Sequence, residues 1–514
     1  MQRHYIERIL RARVYEVAIE SPLEHAPSLS EKTGNRILIK REDLQPVFSF
    51  KLRGAYNRMV GLDAASRQAG VIAASAGNHA QGVALAARKL GIQALIVMPC
   101  TTPAIKVDAV RKLGGTTVLH GDSYDEAYEH ALELAEAKSL TFIHPFDDPE
   151  VIAGQGTIGM EILRQHHGDI HAIFAPVGGG GLIAGIAAYV KFVRPDIRII
   201  GVEPDDSDCL NRAMKAHRRV MLKQVGLFAD GVAVRQIGKE TFHIAHQHVD
   251  EVVTVSTDEI CAAIKDIFDD NRSVAEPAGA LAVAGARKYA ARTGIRDECL
   301  IAIESGANIN FDRLRHVAER ALIGEQRECL MAVNIPERPG SFLAFCQALG
   351  QISITEFNYR YFNDKAAHIF VGVQTAGQTG RELLTRLEQQ GYDVTDMTGN
   401  ALAVEHIRYM VGGHAPRLLD ELVYSFEFPE RPGALVKFLA AMSDRWNISL
   451  FHYRNHGAAF GRVLMGIQVP KADRKVFRGF LQEIGFACRD ETQNPAYRLF
   501  AGGQERGLLP RISD

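Results

Sequence analysis

Residues 45–60 read QPVFSFKLRGAYNRMV and place one lysine, Lys51, directly after Phe48-Ser49-Phe50. Lysine is rarely buried, so such a residue is most often a solvated surface charge. In an apolar pocket, however, the pKa of a lysine falls, and its neutral amine can form a Schiff base with an aldehyde. The choice between these interpretations depends on what the rest of the chain brings to Lys51.

Length and composition exclude several classes of protein. The 514 residues exceed what one core supports, since hydrophobic cores stop growing near about 250–300 residues. A net charge of -2 predicts no field that would attract nucleic acid or anionic lipid. The seven cysteines show no C-x-x-C spacing, so we expect neither disulfides nor a zinc site. The N-terminus lacks a signal-like apolar run, and no stretch is long enough to span a membrane, which predicts a cytoplasmic protein.

Short apolar runs alternate with alanine-rich helical stretches from about residue 35 to residue 320. The strand-like runs are 36–40, 71–74, 94–98, 172–175, 199–202 and 300–303, and the clearest helical stretches are 81–90 and 123–138. Such alternation requires crossover connections between parallel strands. We therefore predict an α/β fold with a largely parallel sheet and helices on both faces.

A repeat begins after about residue 327. LMAVNIPERPGSFLAFCQAL from Leu330 is echoed by LVYSFEFPERPGALVKFLAAM from Leu422, with an offset of 93 residues from Pro336 to Pro429. EFNYR at 356–360 pairs with LFHYR at 450–454 after a one-residue slip, and IRYMVGG at 407–413 pairs with YRLFAGG at 497–503. Each copy is typical of an α+β module of the ferredoxin-like kind. We predict a first domain at 1–320, a linker at 321–327, and modules at 328–413 and 414–514.

Three glycine-bearing motifs in the first half each follow an apolar run. SAGNHAQG at 75–82 opens a helix and suits a carboxylate, while GGGGL at 178–182 lets backbone amides close around a phosphate. ESGANIN at 304–310 offers the Ser305 hydroxyl at the end of a strand, where α/β sheets bind ligands. A tight turn explains about half of such glycine runs, and a dinucleotide site lacks its G-x-G-x-x-G spacing here. Together with Lys51, however, these motifs predict a pyridoxal-phosphate enzyme that acts on an amino acid.

Five motifs carry a family resemblance. SFKLRGA, SAGNHAQG, GGGGL, EPAGA at 276–280 and SGAN occur in one order, which resembles the tryptophan-synthase-β-like pyridoxal-phosphate enzymes and, within them, the threonine/serine dehydratases. The resemblance implies a fold type II catalytic domain of two open, mainly parallel α/β sheets. It also implies a C-terminal α+β regulatory domain of two ACT-like modules. The cofactor would be pyridoxal 5′-phosphate (PLP).

The resemblance also implies a role for individual residues around the cofactor. Lys51 would carry PLP as a Schiff base, Phe50 would pack against its ring, and Asn78 would hydrogen-bond its 3′-oxygen. Ser305 would face the pyridine nitrogen. The residues whose backbone amides would hold the phosphate are Gly178, Gly179, Gly180, Gly181 and Leu182.

The implied reaction is β-elimination from L-threonine, and also from L-serine, with 2-oxobutanoate and ammonia as the products from threonine. Ser75 and Gly77 would receive the substrate carboxylate, and Lys51 would remove the Cα proton. A neutral Ser305 does not hold the pyridine nitrogen protonated, which we expect to favour elimination over transamination. This reaction would open the pathway to isoleucine.

Two other functions are compatible with parts of the sequence. Serine racemases of this family carry a serine before Gly-Asn-His as a second acid/base, whereas here that place is Ala76. Animal relatives bind a divalent cation through a glutamate and an aspartate six positions on; Ala282 follows Glu276 at that spacing, so we expect no metal. An amino-acid sensor with a decayed enzyme domain is disfavoured by intact Lys51, Asn78 and Ser305.

The C-terminal half is expected to bind isoleucine as an allosteric inhibitor, with valine opposing it. Its alternative role is oligomerisation alone, and the family resemblance implies a homotetramer. The effector candidates lie at the two Pro-Gly turns: Glu337, Pro339, Gly340 and Ser341 in the first copy, and Glu430, Pro432, Gly433 and Ala434 in the second.

Overall fold

The computed structural model describes residues 2–325, 327–336, 341–350, 352, 354–361, 366–375, 379–409, 420–429, 438, 441–442, 445–454 and 460–500. The chain divides into two compact units between Gly324 and Glu325. Among the described helices, none combines the length and the apolar character that a membrane crossing needs.

The first unit alternates strands and helices along the chain. Its strands are β1 (Leu23–His25), β2 (Arg36–Arg41), β3 (Val71–Ala74), β4 (Ala94–Met98), β5 (Thr116–Leu119), β6 (Thr141–Phe142), β7 (Ala172–Pro176), β8 (Arg198–Pro204), β9 (Glu251–Val255) and β10 (Cys299–Glu304). Its helices are α1 (Gln2–Leu10), α2 (Pro27–Thr33), α3 (Lys51–Val60), α4 (Ala64–Ala69), α5 (Asn78–Leu90), α6 (Ala104–Lys112), α7 (Tyr124–Ala137), α8 (Pro149–Gln165), α9 (Gly181–Val193), α10 (Cys209–Ala216), α11 (Lys239–His248), α12 (Thr257–Asn271), α13 (Pro277–Thr293) and α14 (Arg313–Gly324).

Two sheets organise this unit. The larger has the strand order β1-β2-β10-β7-β8-β9 and is parallel except for β1, while the smaller has the order β5-β4-β3-β6 and is parallel throughout. Strands β3, β7 and β10 are apolar and almost wholly buried, as expected of strands covered on both faces. The predicted α/β fold of two open, mainly parallel sheets is confirmed, and β3 and β4 have the predicted bounds.

Helix α8 packs against both α3 and α9 at points where glycines meet. A Cβ atom on Gly54 of α3 would lie 2.7 Å from the Val151 carbonyl oxygen, and one on Gly154 of α8 would lie 2.7 Å from Gly54 Cα. On the other side, Gly156 of α8 lies against Gly185 of α9. Helix α8 therefore packs closely against the first turn of α3, which contains Lys51, and against α9, the helix that follows GGGGL.

The second unit contains two modules of the same design. The first consists of β11 (Glu328–Pro336), α15 (Ser341–Leu349), β12 (Ile354–Tyr361), β13 (Ala366–Gln374), α16 (Gly380–Gln389), β14 (Asp393–Asp396) and α17 (Ala401–Glu405). The second includes β15 (Glu421–Pro429), β16 (Asn447–Arg454), β17 (Phe460–Gln468), α18 (Arg474–Ile484), β18 (Cys488–Asp490) and α19 (Pro495–Phe500). Their antiparallel sheets have the orders β12-β13-β11-β14 and β16-β17-β15-β18, so the predicted repeat of two ferredoxin-like modules is confirmed.

The strand that follows the one-residue slip carries a β-bulge in both modules. Strand β12 shifts register on β13 between Ile354 and Glu356, and β16 shifts on β17 between Ile448 and Leu450. A bulge places one extra residue in a strand, and both modules carry it at the equivalent place. The stretch predicted as a linker, 321–327, begins inside α14 and ends just before β11.

The two modules also share a second sequence pattern, DMTGN at 396–400 and DETQN at 490–494. Asn400 caps α17 by accepting from the Ala403 amide, and Asn494 accepts from the Ala496 amide at α19. The Asn400 side chain then donates to Asn494 Oδ1 over 3.1 Å. The modules therefore contact each other through equivalent residues.

Candidate active site

Lys51 is the first residue of α3, and its side chain is half-buried. Its Nζ donates to the Pro145 carbonyl oxygen over 3.1 Å and lies 5.3 Å from the centre of the Phe50 ring. Burial lowers the pKa of Lys51 to about 8, while the negative charge of Glu276 opposes that shift. A substantial fraction of the amine is therefore neutral near physiological pH.

The segment before Lys51 is bonded to the segment that follows β10. Phe48 adopts a left-handed conformation (φ 54°), and its carbonyl accepts from the Ala307 amide over 2.9 Å. The Phe50 amide donates to the Ser305 carbonyl over 3.3 Å. A non-glycine residue in the left-handed region costs about 1–2 kcal/mol, so these bonds hold a strained turn in place. They bring Ser305 beside the start of α3.

Ser305 is buried at the carboxyl end of β10, where its hydroxyl donates to the Ala278 carbonyl over 3.3 Å. Strand β7 is the direct neighbour of β10 in the same sheet, and its carboxyl end leads into the GGGGL loop. The structure thus brings Ser305 and the glycine loop to one edge of the larger sheet, as the ligand-binding rule for α/β sheets predicts.

The glycine loop forms a cradle of backbone amides at the start of α9. Gly180 has φ +90°, and a Cβ atom on Gly179 would overlap the ring of Phe146, so the loop excludes side chains. Among the described residues, the amides of Gly178, Gly179 and Gly180 donate to no protein acceptor. Unpaired N–H groups at a helix N-terminus attract a phosphate, so the loop fits the cofactor. Gly181 and Leu182 occupy the first turn of α9 and are buried.

The second loop, SAGNHAQG, joins β3 to α5. Ser75 Oγ accepts from the Gly77 amide over 3.2 Å, and a Cβ atom on Gly77 would meet nothing within 4 Å. Asn78 begins α5; its Nδ2 donates to Glu276 Oε1, and its Oδ1 accepts from Asn308 Nδ2 over 2.6 Å. The loop is therefore open on the Gly77 side and firmly held at Asn78.

The segment HPFDD at 144–148 contributes to the site but was not predicted from the sequence. Pro145 accepts from Lys51, and Phe146 lies against Gly179. Asp147 accepts from the amides at the start of α11, including Thr241, whose hydroxyl donates to the Gly179 carbonyl over 2.7 Å. The Asp148-Pro149 pair does signal a helix start, but nothing in the sequence indicates that this turn contacts Lys51.

Glu276 and Asn308 lie within the motifs EPAGA and ESGANIN, and the sequence indicates no role for either residue toward the cofactor. The structure places both beside Asn78. Ala282, the other residue considered for a metal, is buried in α13. In the part of the chain that the structure describes, no three His, Cys, Asp or Glu side chains are grouped to hold a metal ion.

The structure describes only one of the eight candidate effector residues, the backbone of Ser341. Glu337, Pro339, Gly340, Glu430, Pro432, Gly433 and Ala434 lie outside the described residues. Ser341 begins α15, but its side chain is not among those described.

Two parallel sheets, a lysine at the start of α3 and an amide cradle at the start of α9 define a PLP-dependent enzyme of fold type II. The family model "Pyridoxal-phosphate dependent enzyme" matches residues 15–305, and "C-terminal regulatory domain of Threonine dehydratase" matches residues 319–407 and 413–501. The chain belongs to the biosynthetic threonine dehydratase family.

Its relatives support that assignment along nearly the whole chain. The chain is 57% identical over 500 residues to the L-threonine dehydratase biosynthetic IlvA of Burkholderia multivorans, covering 96% of this chain and 99% of the relative. It is 53% identical over 503 residues to the protein of that name from Escherichia coli, covering 97% of each. Among solved structures, the processed form of threonine deaminase isoform 2 from Solanum lycopersicum has a TM-score of 0.61 and 54% identity, over 62% of this chain and 88% of that one.

The predicted family, fold class and cofactor are therefore confirmed. A threonine dehydratase with a regulatory domain implies a small-molecule substrate and a small-molecule effector.

Proposed function

We propose that this chain catalyses the PLP-dependent elimination of water from L-threonine, giving 2-oxobutanoate and ammonia as the first committed step toward isoleucine. The names of its relatives support the substrate. The observation that carries the proposal is the pairing of a lysine of lowered pKa with a cradle of unpaired amides, both resting on the segment 144–148. L-serine would be a second substrate.

Each residue of the cofactor site has a physical reason for its role. The amides of Gly178, Gly179, Gly180, Gly181 and Leu182 would bind the phosphate. Phe50 would pack on the ring, Asn78 would donate to the 3′-oxygen, and the neutral hydroxyl of Ser305 would face the pyridine nitrogen. When bound, PLP supplies an electron sink for the pair left at the substrate Cα.

Lys51 would first hold the cofactor and then, freed by the substrate amine, take the Cα proton. Its Nζ is suited to both tasks because burial keeps part of it neutral. Ser75 and the Gly77 amide, at the open side of their loop, would receive the substrate carboxylate. Together these groups would place Cα–H toward Lys51.

Elimination is favoured over racemisation by the residue between these two groups. Ala76 has no group that exchanges a proton, so position 76, where racemases of this family carry a serine, offers no second acid/base for the opposite face of Cα. The intact arrangement of Lys51, Asn78 and Ser305 also argues against an inactive sensor.

For the second unit we propose allosteric inhibition by isoleucine, opposed by valine, in a cytoplasmic homotetramer. The match to a regulatory-domain family and the paired modules support an effector role. The Pro-Gly turns at 337–341 and 430–434 remain the proposed effector contacts. The proposed boundaries are 1–320, a linker at 321–327, 328–413 and 414–514.

Steady-state kinetics tests these proposals together. Initial rates on L-threonine and L-serine, each with and without isoleucine and valine, should show turnover of both substrates and an isoleucine-dependent shift of the threonine curve. PLP-loaded protein that turns over neither substrate would refute the enzymatic proposal. Turnover with a threonine curve unchanged in position and shape would refute only the regulatory one.

A further inference from the structure

The side chain of Glu276 lies at the start of a helix but does not cap it. Glu276 is the N-cap residue of α13, yet its side chain makes no capping hydrogen bond, and Pro277 follows at the first helical position. Glutamate is also not among the residues preferred at N-caps, which are serine, threonine, aspartate and asparagine. Side-chain capping therefore does not explain a glutamate here.

The carboxylate instead points to the amide of Asn78. Its Oε1 accepts from Asn78 Nδ2, and the other end of that amide, Oδ1, accepts from Asn308 Nδ2 over 2.6 Å. Asn308 Nδ2 is itself anchored by donating to the Val47 carbonyl over 2.8 Å. An ionised carboxylate can only accept hydrogen bonds, so the Asn78 amide is held with its NH₂ group toward Glu276.

The absence of a side chain at Gly306 leaves space for the carboxylate. A Cβ atom on Gly306 would lie 2.6 Å from Glu276 Oε1, and one on Gly231 would lie 3.7 Å from it. The Glu276 amide donates to the Gly306 carbonyl over 3.1 Å, which fixes the backbone at this point. A side chain at Gly306 would displace the carboxylate from Asn78, whereas one at Gly231 would only be in van der Waals contact with it.

The charges around Glu276 leave it without an ion pair. Asp230 forms ion pairs with Lys106 over 2.6 Å and with Arg313 over 3.4 Å, whereas Glu276 forms none within the described ranges. Burial and the nearby Asp230 raise the pKa of Glu276 to about 7. The Asn78 hydrogen bond and the charges of Lys106 and Arg313 act in the opposite direction and lower this pKa. The charge of Glu276 also acts on Lys51.

We propose that Glu276 is a positioning residue of this active site, which acts through Asn78 by fixing the orientation in which that amide is presented to the cofactor. One N–H of the Asn78 amide is used by Glu276, and the second is left for the ring oxygen. This inference rests on the proposed role of Asn78. It assigns to Glu276 neither a metal nor a substrate contact.

The test is a double-mutant cycle in PLP affinity, measured by absorbance titration of the full-length apoprotein. Glu276→Gln should weaken PLP binding about tenfold, because a neutral amide oxygen accepts a weaker hydrogen bond than a carboxylate and its NH₂ group competes for the same position. In the Asn78→Ala background, Glu276→Gln should weaken PLP binding less than about twofold, because the amide that Glu276 holds is absent. Asn308→Ala, which breaks the other end of the clamp, should weaken binding in the same direction.

One further measurement and a matched control separate positioning from folding. The absorbance of bound PLP should change with a midpoint near pH 7 in the wild type, following the pKa of about 7 at Glu276, and this change should be absent in Glu276→Gln. Glu129→Gln, the same substitution on the exposed face of α7, is the matched control and should alter neither readout.

Unchanged PLP affinity in Glu276→Gln, or an undiminished effect in the Asn78→Ala background, would overturn the inference. If the wild type itself fails to bind PLP or to turn over threonine, the proposed function fails instead. The two failures are therefore distinguishable.

Discussion

Lys40 and Lys51 lie eleven positions apart in the sequence and have opposite surroundings. Lys40, in β2, is fully buried and donates to Ser21 O over 2.5 Å, Glu161 Oε2 over 2.7 Å and Gln165 Oε1 over 3.0 Å. Lys51 is half-buried and donates to one carbonyl oxygen. A buried ammonium that satisfies all its donors and has a carboxylate partner is structural. A half-buried lysine without a carboxylate partner is available for chemistry.

The largest expected effect comes from removing the unpaired amine. Lys51→Ala should lower kcat by at least about a thousandfold, within the range of losses seen for acid–base groups. The variant should remain folded, because Lys51 is bonded to only one carbonyl. Initial rates at saturating threonine and a thermal melt provide the two readouts.

Lys51→Arg sharpens the result, since arginine keeps the positive charge but never becomes neutral in a protein. It should be as inactive as Lys51→Ala. More than about a tenth of wild-type turnover in either variant would contradict the role assigned to Lys51.

The second-largest effect should come from the paired lysine, and it should appear in stability. Lys40→Met leaves Glu161 buried without one of its cations, which costs about 3–5 kcal/mol for a broken buried pair. Denaturant titration measures this loss, and the folded fraction should still bind PLP. Lys191→Met, in a more exposed ion pair with Asp250, is the matched control and should cost less than about 1 kcal/mol. Equal losses in both variants would remove the distinction between the two lysines.

The pH dependence of PLP binding to the apoprotein tests directly whether the pKa of Lys51 is lowered. Because the pKa of Lys51 is lowered to about 8, the neutral amine is the minor form at pH 7 and the major form at pH 9. The rate at which apoprotein captures PLP should therefore rise about tenfold between these values and level off above them. Stopped-flow absorbance is the measurement, and a midpoint near the ordinary lysine value would show that burial does not tune Lys51.

The smallest effect should come from a neutral partner of Lys40. Gln165→Ala removes an uncharged acceptor of Lys40 and the hydrogen bonds that the Gln165 amide donates to Ser21 and Glu20, and we expect a loss of about 1–2 kcal/mol in the free energy of unfolding. The pH profile of PLP capture should stay as in the wild type. A changed profile would mean that the surroundings of the two lysines are coupled.

Much of the fold followed from local pattern. The buried parallel strands are continuous apolar runs, which is why β3 and β4 have their predicted bounds. The Pro336–Pro429 offset matches strands β11 and β15, which begin and end at equivalent residues. The slip was visible in the sequence, but the bulge that both modules carry after it depends on strand pairing and was not.

The site was predictable where each residue's chemistry is local, as in Lys51 and the glycine loop. It was not predictable where partners are distant in the chain. Pro145 reaches Lys51 from 94 positions away, and Glu276 reaches Asn78 from 198 positions away. Nor does the sequence signal the left-handed turn at Phe48, because phenylalanine is not a residue that favours positive φ.

The bond between Asn400 and Asn494 has a consequence beyond the stability of two helix ends. Contacts between equivalent residues are those of a twofold-symmetric dimer, yet here both partners belong to one polypeptide. A dimer of separate modules would dissociate on dilution. Tethered modules instead meet at an effective concentration that is set by the connecting chain, and this concentration is of millimolar order for short flexible linkers. Their pairing is therefore independent of how much of the protein is present, so a signal that passes through it reports the effector and not the abundance of the enzyme.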